Sequence, residues 1–261
     1  MERICVIGGD ARMDYAAKVL EASGYAVTRT ACALQGEQDV VLLPVRASAD
    51  GVYITGTQIC LRDLPHALSA DGKIIGGGLP REICGWDMMQ NQAFLYDNAR
   101  LTAEAALMLL GSSTEGELFG ADIGVIGMGR IAECLCPLLR AVGARVTVYA
   151  RRAEALARAR AMGAQTVRFS ERLPLSSVQH EMICNTVPYV LFDQTLLAQA
   201  RRDVLLLELA SAPGGFDYAA VEALGLRYVN GQGLPGKYAP RAAGELIADY
   251  VLGVMKGEIE K

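Results

Sequence analysis

Short runs of aliphatic and β-branched residues alternate along the chain with stretches in which apolar residues recur every three or four positions. The first run is 4–7, a helical stretch follows at 13–22, and the next runs are 26–28 and 40–43. This order of strand, helix and strand is typical of a parallel sheet with helical crossovers. Looser apolar patterns continue it and predict strands at 52–55, 73–75 and 93–96 and helices near 61–68 and 81–89.

A second and more regular series begins near residue 123, after a helical stretch at 102–110 that we interpret as a link between domains. Its alternation predicts a doubly wound sheet. The predicted strands are 123–126, 145–149, 166–169, 182–185, 204–209 and 227–229, and the predicted helices are 130–142 and 152–162. We therefore expect an α/β protein with two doubly wound parallel-sheet domains and a cleft between them. They are an N-terminal substrate domain, 1–98, and a second domain, 99–239, while a C-terminal helix, 240–258, packs back on the first.

The strongest motif is a glycine fingerprint between a predicted strand and a predicted helix. Residues 127–132 read Gly-Met-Gly-Arg-Ile-Ala, which fits the GxGxxG/A pattern of Rossmann-like dinucleotide-binding domains. The first glycine permits a tight turn, and the second lets backbone N–H groups approach a pyrophosphate at the helix N-terminus. We predict cofactor contacts from the motif and from a later strand end, namely Gly127, Met128, Gly129, Arg130, Ile131, Asn185, Thr186, Val187 and Pro188.

The residues after the next predicted strand bear on which dinucleotide is bound. An NAD-binding domain usually places Asp or Glu there, about 20 residues after the glycines, to bind the ribose hydroxyls. This chain has Ala150, Arg151 and Arg152 instead. Because a guanidinium pairs with a 2′-phosphate, NADP is favoured over NAD, which stays an alternative. Two arginines that only begin a solvated helix are the competing interpretation.

Composition and charge exclude several classes of function. The chain has 261 residues, 52% of them hydrophobic, and a net charge of −4 without a basic patch, so we expect no nucleic-acid partner. No apolar run of about 18 residues and no signal peptide is visible, which indicates a cytoplasmic protein with no membrane contact. Seven scattered cysteines without a CxxC pair indicate reduced thiols, mostly in the core, and no metal site. Both histidines, His66 and His180, lie in segments interpreted as surface loops or helix edges.

Several segments resemble the A subunit of dipicolinate synthase over nearly the whole chain. They are VIGGDAR at 6–12, LPV at 43–45, GMGR at 127–130, CNTVP at 184–188, ELASAPGG at 208–215 and GLPGKYAPRAAGE at 233–245, together with Asn98, Thr102 and Glu104. The resemblance implies oxidation of dihydrodipicolinate, or of its hydroxytetrahydro precursor, to dipicolinate with hydride transfer to NADP during endospore formation. It also implies a partner, the flavoprotein-like B subunit of that enzyme, and a place in the mother-cell cytoplasm. The sequence leaves open whether the chain forms a homo-oligomer.

Candidates for the chemistry follow from strand ends and from this resemblance. Glu104 is the preferred general base, in what reads as an apolar helical context that would raise its proton affinity, with Asn98 and Thr102 nearby on the helix. Two substrate carboxylates call for cations or helix N-termini, and we expect the substrate to contact Asp10, Arg12, Ser48, Ser211, Gly233, Lys237 and Arg241. Each charge also fits an ordinary surface role. Two other functions stay open: a different NADP-dependent amino or hydroxy acid dehydrogenase, and a non-catalytic NADP-binding sensor.

Overall fold

The computed structural model describes residues 2–33 and 36–261, which divide into two compact units. Unit 1 comprises Met1–Asn98 and Pro235–Lys261, and unit 2 comprises Ala99–Leu234. The strands are β1 (Arg3–Ile7), β2 (Ala26–Thr30), β3 (Gln38–Leu42), β4 (Leu68–Gly76), β5 (Trp86–Asp87), β6 (Asp122–Ile126), β7 (Arg145–Ala150), β8 (Gln165–Arg168), β9 (Met182–Asn185), β10 (Leu205–Glu208) and β11 (Arg227–Asn230). The helices are α1 (Ala11–Ala22), α2 (Gln92–Ser113), α3 (Arg130–Ala141), α4 (Ala153–Ala161), α5 (Gln194–Leu197), α6 (Tyr218–Ala223), α7 (Leu234–Tyr238) and α8 (Pro240–Met255).

Both units are built on parallel sheets. Unit 1 has the strand order β2-β1-β3-β4-β5, and unit 2 has the order β11-β10-β9-β6-β7-β8. All neighbouring strands within each sheet pair in parallel. In each sheet the chain first builds outward in one direction and then reverses, so that the sheet is doubly wound. The predicted fold class, α/β with two such sheets, is confirmed.

Helix α8 completes unit 1 by packing along α1. The buried face of α1 presents Ala16 and Leu20, and that of α8 presents Ile247 and Val251. Close approach depends on Gly244, because a β-carbon added there would lie 2.5 Å from the Arg12 carbonyl oxygen and 2.5 Å from the Tyr15 β-carbon. A side chain at this position would push the two helices apart.

Three predicted elements of unit 1 are wrong. Residues 81–89 form turns, the short strand β5 and the start of a 3-10 turn instead of an α-helix. The Asp87 carboxylate fixes this path, because it accepts hydrogen bonds from the backbone N–H groups of Gly78, Leu79 and Met89. Residues 93–96 begin α2 and not a strand, since the Asn91 side chain accepts a hydrogen bond from Phe94 N at 2.9 Å and starts the helix. Residues 52–55 form isolated antiparallel bridges in place of a strand.

No helix in the described part of the chain is both long enough and apolar enough to cross a membrane.

Candidate functional site

A pocket of about 590 Å³ opens in unit 2 at the carboxyl ends of β6, β7 and β9. It lies where the strand order reverses between β6 and β9, which is where doubly wound sheets bind ligands. Its lining consists of Gly127, Met128, Gly129, Tyr149, Ala150, Arg151, Arg152, Ala155, Phe169, Thr186, Val187, Pro188, Tyr189 and Leu191. Eight of the predicted cofactor residues are among these, namely Gly127, Met128, Gly129, Arg151, Arg152, Thr186, Val187 and Pro188.

The turn after β6 requires glycine at its first position. Gly127 has φ +93°, and a β-carbon there would lie 2.6 Å from Thr186 Oγ1 and 2.8 Å from Val187 Cγ2. Its N–H donates to the Tyr149 carbonyl oxygen at 2.9 Å, which ties the turn to β7. The main chain therefore passes closely between two other pocket-forming segments, as the fingerprint predicts.

Gly129, unlike Gly127, is not required by the conformation of the turn. It is the N-cap of α3 with φ −98°, a conformation open to any residue, and an added β-carbon would meet nothing within 4 Å. Neither the turn nor the packing demands glycine here, so the free space is available to a ligand at the N-terminus of a helix of 12 residues. Ala132 is fully buried, as expected for the third position of the fingerprint.

Arg130 and Ile131 lie in the first turn of α3, and their side chains do not line the pocket. Ile131 packs against the core of unit 2, and Arg130 is exposed. Their backbone N–H groups belong to the first turn of α3, which can donate hydrogen bonds to a bound anion.

The far end of the pocket carries arginines. Arg151 and Arg152 are exposed and follow β7, and Arg168, at the end of β8, donates from Nε to the Arg151 carbonyl oxygen at 3.2 Å. In residues 2–33 and 36–261 no carboxylate lies within ion-pair distance of these three arginines. Sequence reasoning missed Arg168, although its place at the end of the next parallel strand was a usable signal.

Asn185, which is predicted to contact the cofactor, is not among the residues that line the pocket. It is fully buried and donates from Nδ2 to the Val187 carbonyl oxygen at 2.9 Å and to Glu208 Oε1 at 2.7 Å. Thr186, which lines the pocket, donates from Oγ1 to the Ile126 carbonyl oxygen at 2.7 Å. Asn185 thus shapes the residues that follow it.

Glu208, at the end of β10, is a buried carboxylate that sequence reasoning missed. Its side chain accepts hydrogen bonds from Asn185, from Ala210 N at 2.9 Å and from Gly215 N at 2.7 Å. Burial raises the pKa of this carboxyl, and the hydrogen bonds from Gly215, Asn185 and Ala210 oppose that increase. The signal was present in the sequence as a charged residue at the end of an apolar run, where a buried charge needs several donors.

In unit 1, three of the candidate substrate residues lie near the carboxyl end of β1 or on the helices beside it. Asp10 caps α1 and pairs with Arg12 at 2.8 Å. Burial raises the pKa of Asp10, but the hydrogen bond and charge of Arg12 outweigh it and leave the pKa below its ordinary value. Gly236 lies against this pair, since a β-carbon there would be 2.8 Å from Asp10 Oδ2. Arg241, in the first turn of α8, is largely exposed and 3.9 Å from Glu245.

The remaining substrate candidates are less closely grouped. In unit 1, Lys237 is exposed on α7, and the Ser48 hydroxyl is engaged with the Asp50 carboxylate at 3.0 Å and with Gly51 N at 2.9 Å. Ser211 and Gly233 belong to unit 2, where Ser211 is exposed and Gly233 lies in the turn that precedes α7.

The structure corrects the expected environment of Glu104. The carboxylate is half-exposed and forms an ion pair with Arg100 at 2.8 Å, one turn earlier on α2. Ala103 and Ala105, its neighbours in sequence, are buried, so the apolar stretch faces the core while Glu104 points to solvent. Thr102 is buried, Asn98 is half-buried, and both have partners.

The expected surface position of His180 is also wrong. His180 is buried over Gly124, with Nε2 2.8 Å from the Tyr149 hydroxyl and Nδ1 3.0 Å from the Asp122 carboxylate. His66 is exposed, as expected. Among the cysteines, Cys5, Cys136 and Cys184 are buried, whereas Cys32 and Cys84 are exposed. Burial raises the pKa of Cys136 to about 12, so this thiol stays protonated.

The part of the chain that carries the pocket is similar to a known family of domains. Residues 96–225 match the family described as D-isomer specific 2-hydroxyacid dehydrogenase, NAD binding domain. This match supports a nicotinamide cofactor in the pocket and does not distinguish NADP from NAD.

Known proteins of similar sequence or fold include dipicolinate synthase A subunits. The A subunit of dipicolinate synthase from Bacillus subtilis (strain 168) is 35% identical over 164 residues, which cover 62% of this chain and 54% of the relative. The match thus spans about half the length of that protein. The crystal structure of the corresponding protein from Bacillus halodurans has a TM-score of 0.84 at 22% identity and 97% coverage of both chains. The crystal structure of the Bacillus subtilis protein has a TM-score of 0.81 at 24% identity, covering 99% of this chain and 98% of that one.

Proposed function

We propose that this chain, a homologue of the dipicolinate synthase A subunit, is the NADP-binding component of an oxidoreductase that forms dipicolinate in sporulating bacteria. Its substrate would be dihydrodipicolinate or the hydroxytetrahydro precursor. The observation that carries the proposal is the pocket at the glycine turn, which suits a dinucleotide. The similarity to the A subunit of dipicolinate synthase connects this pocket with the formation of dipicolinate. The hydroxytetrahydro precursor first loses one molecule of water and becomes the dihydropyridine. Loss of one hydride, which NADP would accept, and of one proton then turns that ring into an aromatic pyridine.

The residues of the pocket fit a dinucleotide. The open space beside Gly129 and the N–H groups of the first turn of α3 would hold the pyrophosphate. Phe169, Tyr189 and Leu191 supply apolar surface for rings. A bound nicotinamide dinucleotide would accept the hydride, and the chain itself would orient the ring and exclude competing reactions.

NADP is our proposal over NAD because of the arginines at the far end of the pocket. Arg151 and Arg152 line it, Arg168 adjoins Arg151, and their charges lack carboxylate neighbours within ion-pair distance in the described residues. A phosphate dianion would satisfy such a group by charge-assisted hydrogen bonds. An aspartate or glutamate in the place of Arg151 would instead favour NAD.

Substrate contacts are proposed from the residues with suitable charge. Arg12 and Arg241 in unit 1, with Lys237, supply cations for the two carboxylates, and Asp10 fixes the Arg12 guanidinium. Ser48, Ser211 and Gly233 stay in the proposed substrate set. Glu104 is the proposed acceptor of the ring proton, and Asn98 and Thr102 lie near it along α2.

By the same homology we propose that the chain works with a flavoprotein-like B subunit in the mother-cell cytoplasm. Purification of the chain from sporulating cells that carry a tagged B subunit tests this assembly. A chain that never copurifies with the tagged partner would contradict it.

A second function has one specific observation in its favour. The match of residues 96–225 to the 2-hydroxyacid dehydrogenase domain also fits an enzyme that oxidises an amino or hydroxy acid. Such an enzyme would turn over a substrate without a dicarboxylate ring.

A non-catalytic NADP sensor would bind the nucleotide and show no turnover.

The test of the proposed activity mixes the chain with NADP and freshly generated hydroxytetrahydrodipicolinate, in the presence and in the absence of the flavoprotein-like partner. We expect nicotinamide reduction to rise together with pyridine dicarboxylate, in equal amounts. Nucleotide binding without either product would rule out the proposed substrate and favour the dehydrogenase or sensor alternative. Reduction with D-lactate or alanine and not with the dicarboxylate would identify the second function.

Arg151→Ala is expected to weaken NADP binding by about tenfold or more and to change NAD binding less than about twofold, because only NADP carries the 2′-phosphate. Arg145→Ala is a matched control, since Arg145 is exposed at the opposite end of the same strand. Isothermal titration with both nucleotides measures the effect. An equal loss of affinity for NADP and NAD would rule out the proposed role of Arg151.

A further inference from the structure

One wall of the nucleotide pocket is the segment 185–192, which we call the β9 wall. Its residues Thr186, Val187, Pro188, Tyr189 and Leu191 line the pocket. The wall leaves the sheet at Asn185, the last residue of β9. Glu208 is directly opposite Asn185 in the register of the neighbouring strand β10 and has no exposed surface.

The first end of the β9 wall is tied to Glu208 through Asn185. Asn185 Nδ2 donates to Glu208 Oε1 at 2.7 Å and to the Val187 carbonyl oxygen at 2.9 Å, while Asn185 Oδ1 accepts from Val187 N at 3.2 Å. The side chain thus clamps Val187 through both its N–H and its carbonyl group. Its orientation in turn depends on the carboxylate.

The other end of the β9 wall is tied to the same carboxylate through Gly215. Gly215 N donates to Glu208 Oε2 at 2.7 Å, and the Gly215 carbonyl oxygen accepts from Leu191 N at 2.9 Å and from Phe192 N at 3.0 Å. A side chain at Gly215 would overlap the Asn185 amide. One buried carboxylate therefore contacts both anchors of the wall.

We infer that Glu208 is a positioning residue that sets the nucleotide affinity of the pocket by fixing the β9 wall at both ends. This inference rests on the proposed function only in taking the occupant of the pocket to be a nicotinamide dinucleotide. Glu208 itself touches no nucleotide, since it lies under the wall. This role of Glu208 also explains why the segments CNTVP and ELASAPGG, which are separate in sequence, act together. Asn185 belongs to the first segment, and Glu208 and Gly215 belong to the second.

The carboxylate suits this place because the groups that form hydrogen bonds to it are donors. They include the Asn185 side-chain amide and the backbone N–H groups of Ala210, Gly215 and Phe216. The amide of glutamine has nearly the same shape, but its NH₂ group cannot accept a hydrogen bond. Glu208→Gln therefore keeps the volume and loses at least one anchor of the wall.

The experiment measures the dissociation constants of NADP and NAD for the full chain by calorimetry, beside its unfolding temperature. We expect Glu208→Gln to weaken both nucleotides by about tenfold and to leave their ratio unchanged, because the wall is not the part of the pocket that carries the arginines. In the turnover assay, the KM for nucleotide should rise while kcat changes less than about twofold.

Ser177→Ala is the matched control. Ser177 is a buried polar residue of the same unit that donates to the Pro174 carbonyl oxygen at 2.7 Å and is absent from the lining of the pocket. It should lower the unfolding temperature without changing nucleotide affinity, which separates positioning from general loss of stability. If Ser177→Ala weakened nucleotide binding as much as Glu208→Gln does, the inference would be overturned.

Unchanged affinity in folded Glu208→Gln, in a protein whose wild type binds nucleotide, would overturn the inference and leave the proposed function intact. A wild-type chain that binds neither nucleotide would overturn both. If Glu208→Gln does not fold, Asn185→Ala replaces it: weaker binding by the folded variant supports the inference, and unchanged binding overturns it.

Discussion

Gly129→Asp is expected to weaken nucleotide binding by about 100-fold while the unfolding temperature stays equal or rises. Aspartate is a preferred N-cap residue, and its charge is favourable at a helix N-terminus, so α3 gains stability from the change. The same carboxylate would occupy the open space where the pyrophosphate is proposed to bind. Repulsion between two such charges about 5 Å apart amounts to about 3 kcal/mol, or about 100-fold in affinity.

Calorimetric titration with NADP, paired with thermal unfolding, checks both parts of this result. Gly129→Ser is the matched variant, because serine is an equally good N-cap without charge and should cost far less affinity. Gly116→Ala controls for glycine replacement on an exposed loop of the same unit. Full nucleotide affinity in the aspartate variant would show that the pyrophosphate does not bind beside Gly129.

Gly244→Ala is expected to lower the free energy of unfolding of unit 1 by about 3 kcal/mol. The added methyl group would lie 2.5 Å from the Arg12 carbonyl oxygen, which is backbone and cannot rotate away, so α8 must move off α1. This movement loosens contacts of Ile247 and Val251 with the core. The higher helix propensity of alanine, up to about 1 kcal/mol, offsets only part of the loss.

Gly111→Ala provides the comparison for this prediction. Gly111 is also inside a helix, α2, but an added β-carbon would meet only Leu118 Cδ1 at 3.6 Å. Here helix propensity acts alone and should raise stability by up to about 1 kcal/mol. Urea denaturation followed by circular dichroism measures both variants. Stabilisation by both substitutions alike would contradict the close packing of α1 on α8.

The fold of unit 2 could be predicted because its strands are short apolar runs with regular helices between them, and the glycine turn followed from the same order. In unit 1 the hydrophobic pattern failed where side-chain hydrogen bonds determine the backbone conformation. Asp87 fixes the backbone on both sides of itself by side-chain hydrogen bonds to residues 78 and 89, and Asn91 starts a helix within residues whose apolar pattern suggested a strand. Such contacts depend on side-chain hydrogen bonds that a hydrophobic pattern does not record.

The candidate site was predictable to a similar extent. Gly127 and Gly129 followed from a spacing that dinucleotide-binding turns share, whereas Glu208 and Asn185 pair only because β9 and β10 are neighbours in the sheet. That adjacency links residues 23 positions apart in sequence. Glu104 was misjudged because buried neighbours in sequence do not show which way a helical side chain points.

The return of the chain to unit 1 has a consequence for its synthesis. All residues of unit 2 precede Pro235, whereas the α1 face that carries Ala16 and Leu20 stays uncovered until α8 has been made. On the ribosome, unit 1 is therefore begun first and completed last. Unit 2 can fold while unit 1 still exposes apolar surface. Nascent chains stalled before residue 235 lack α8, so we expect them to expose this apolar surface and to aggregate more readily than the full chain.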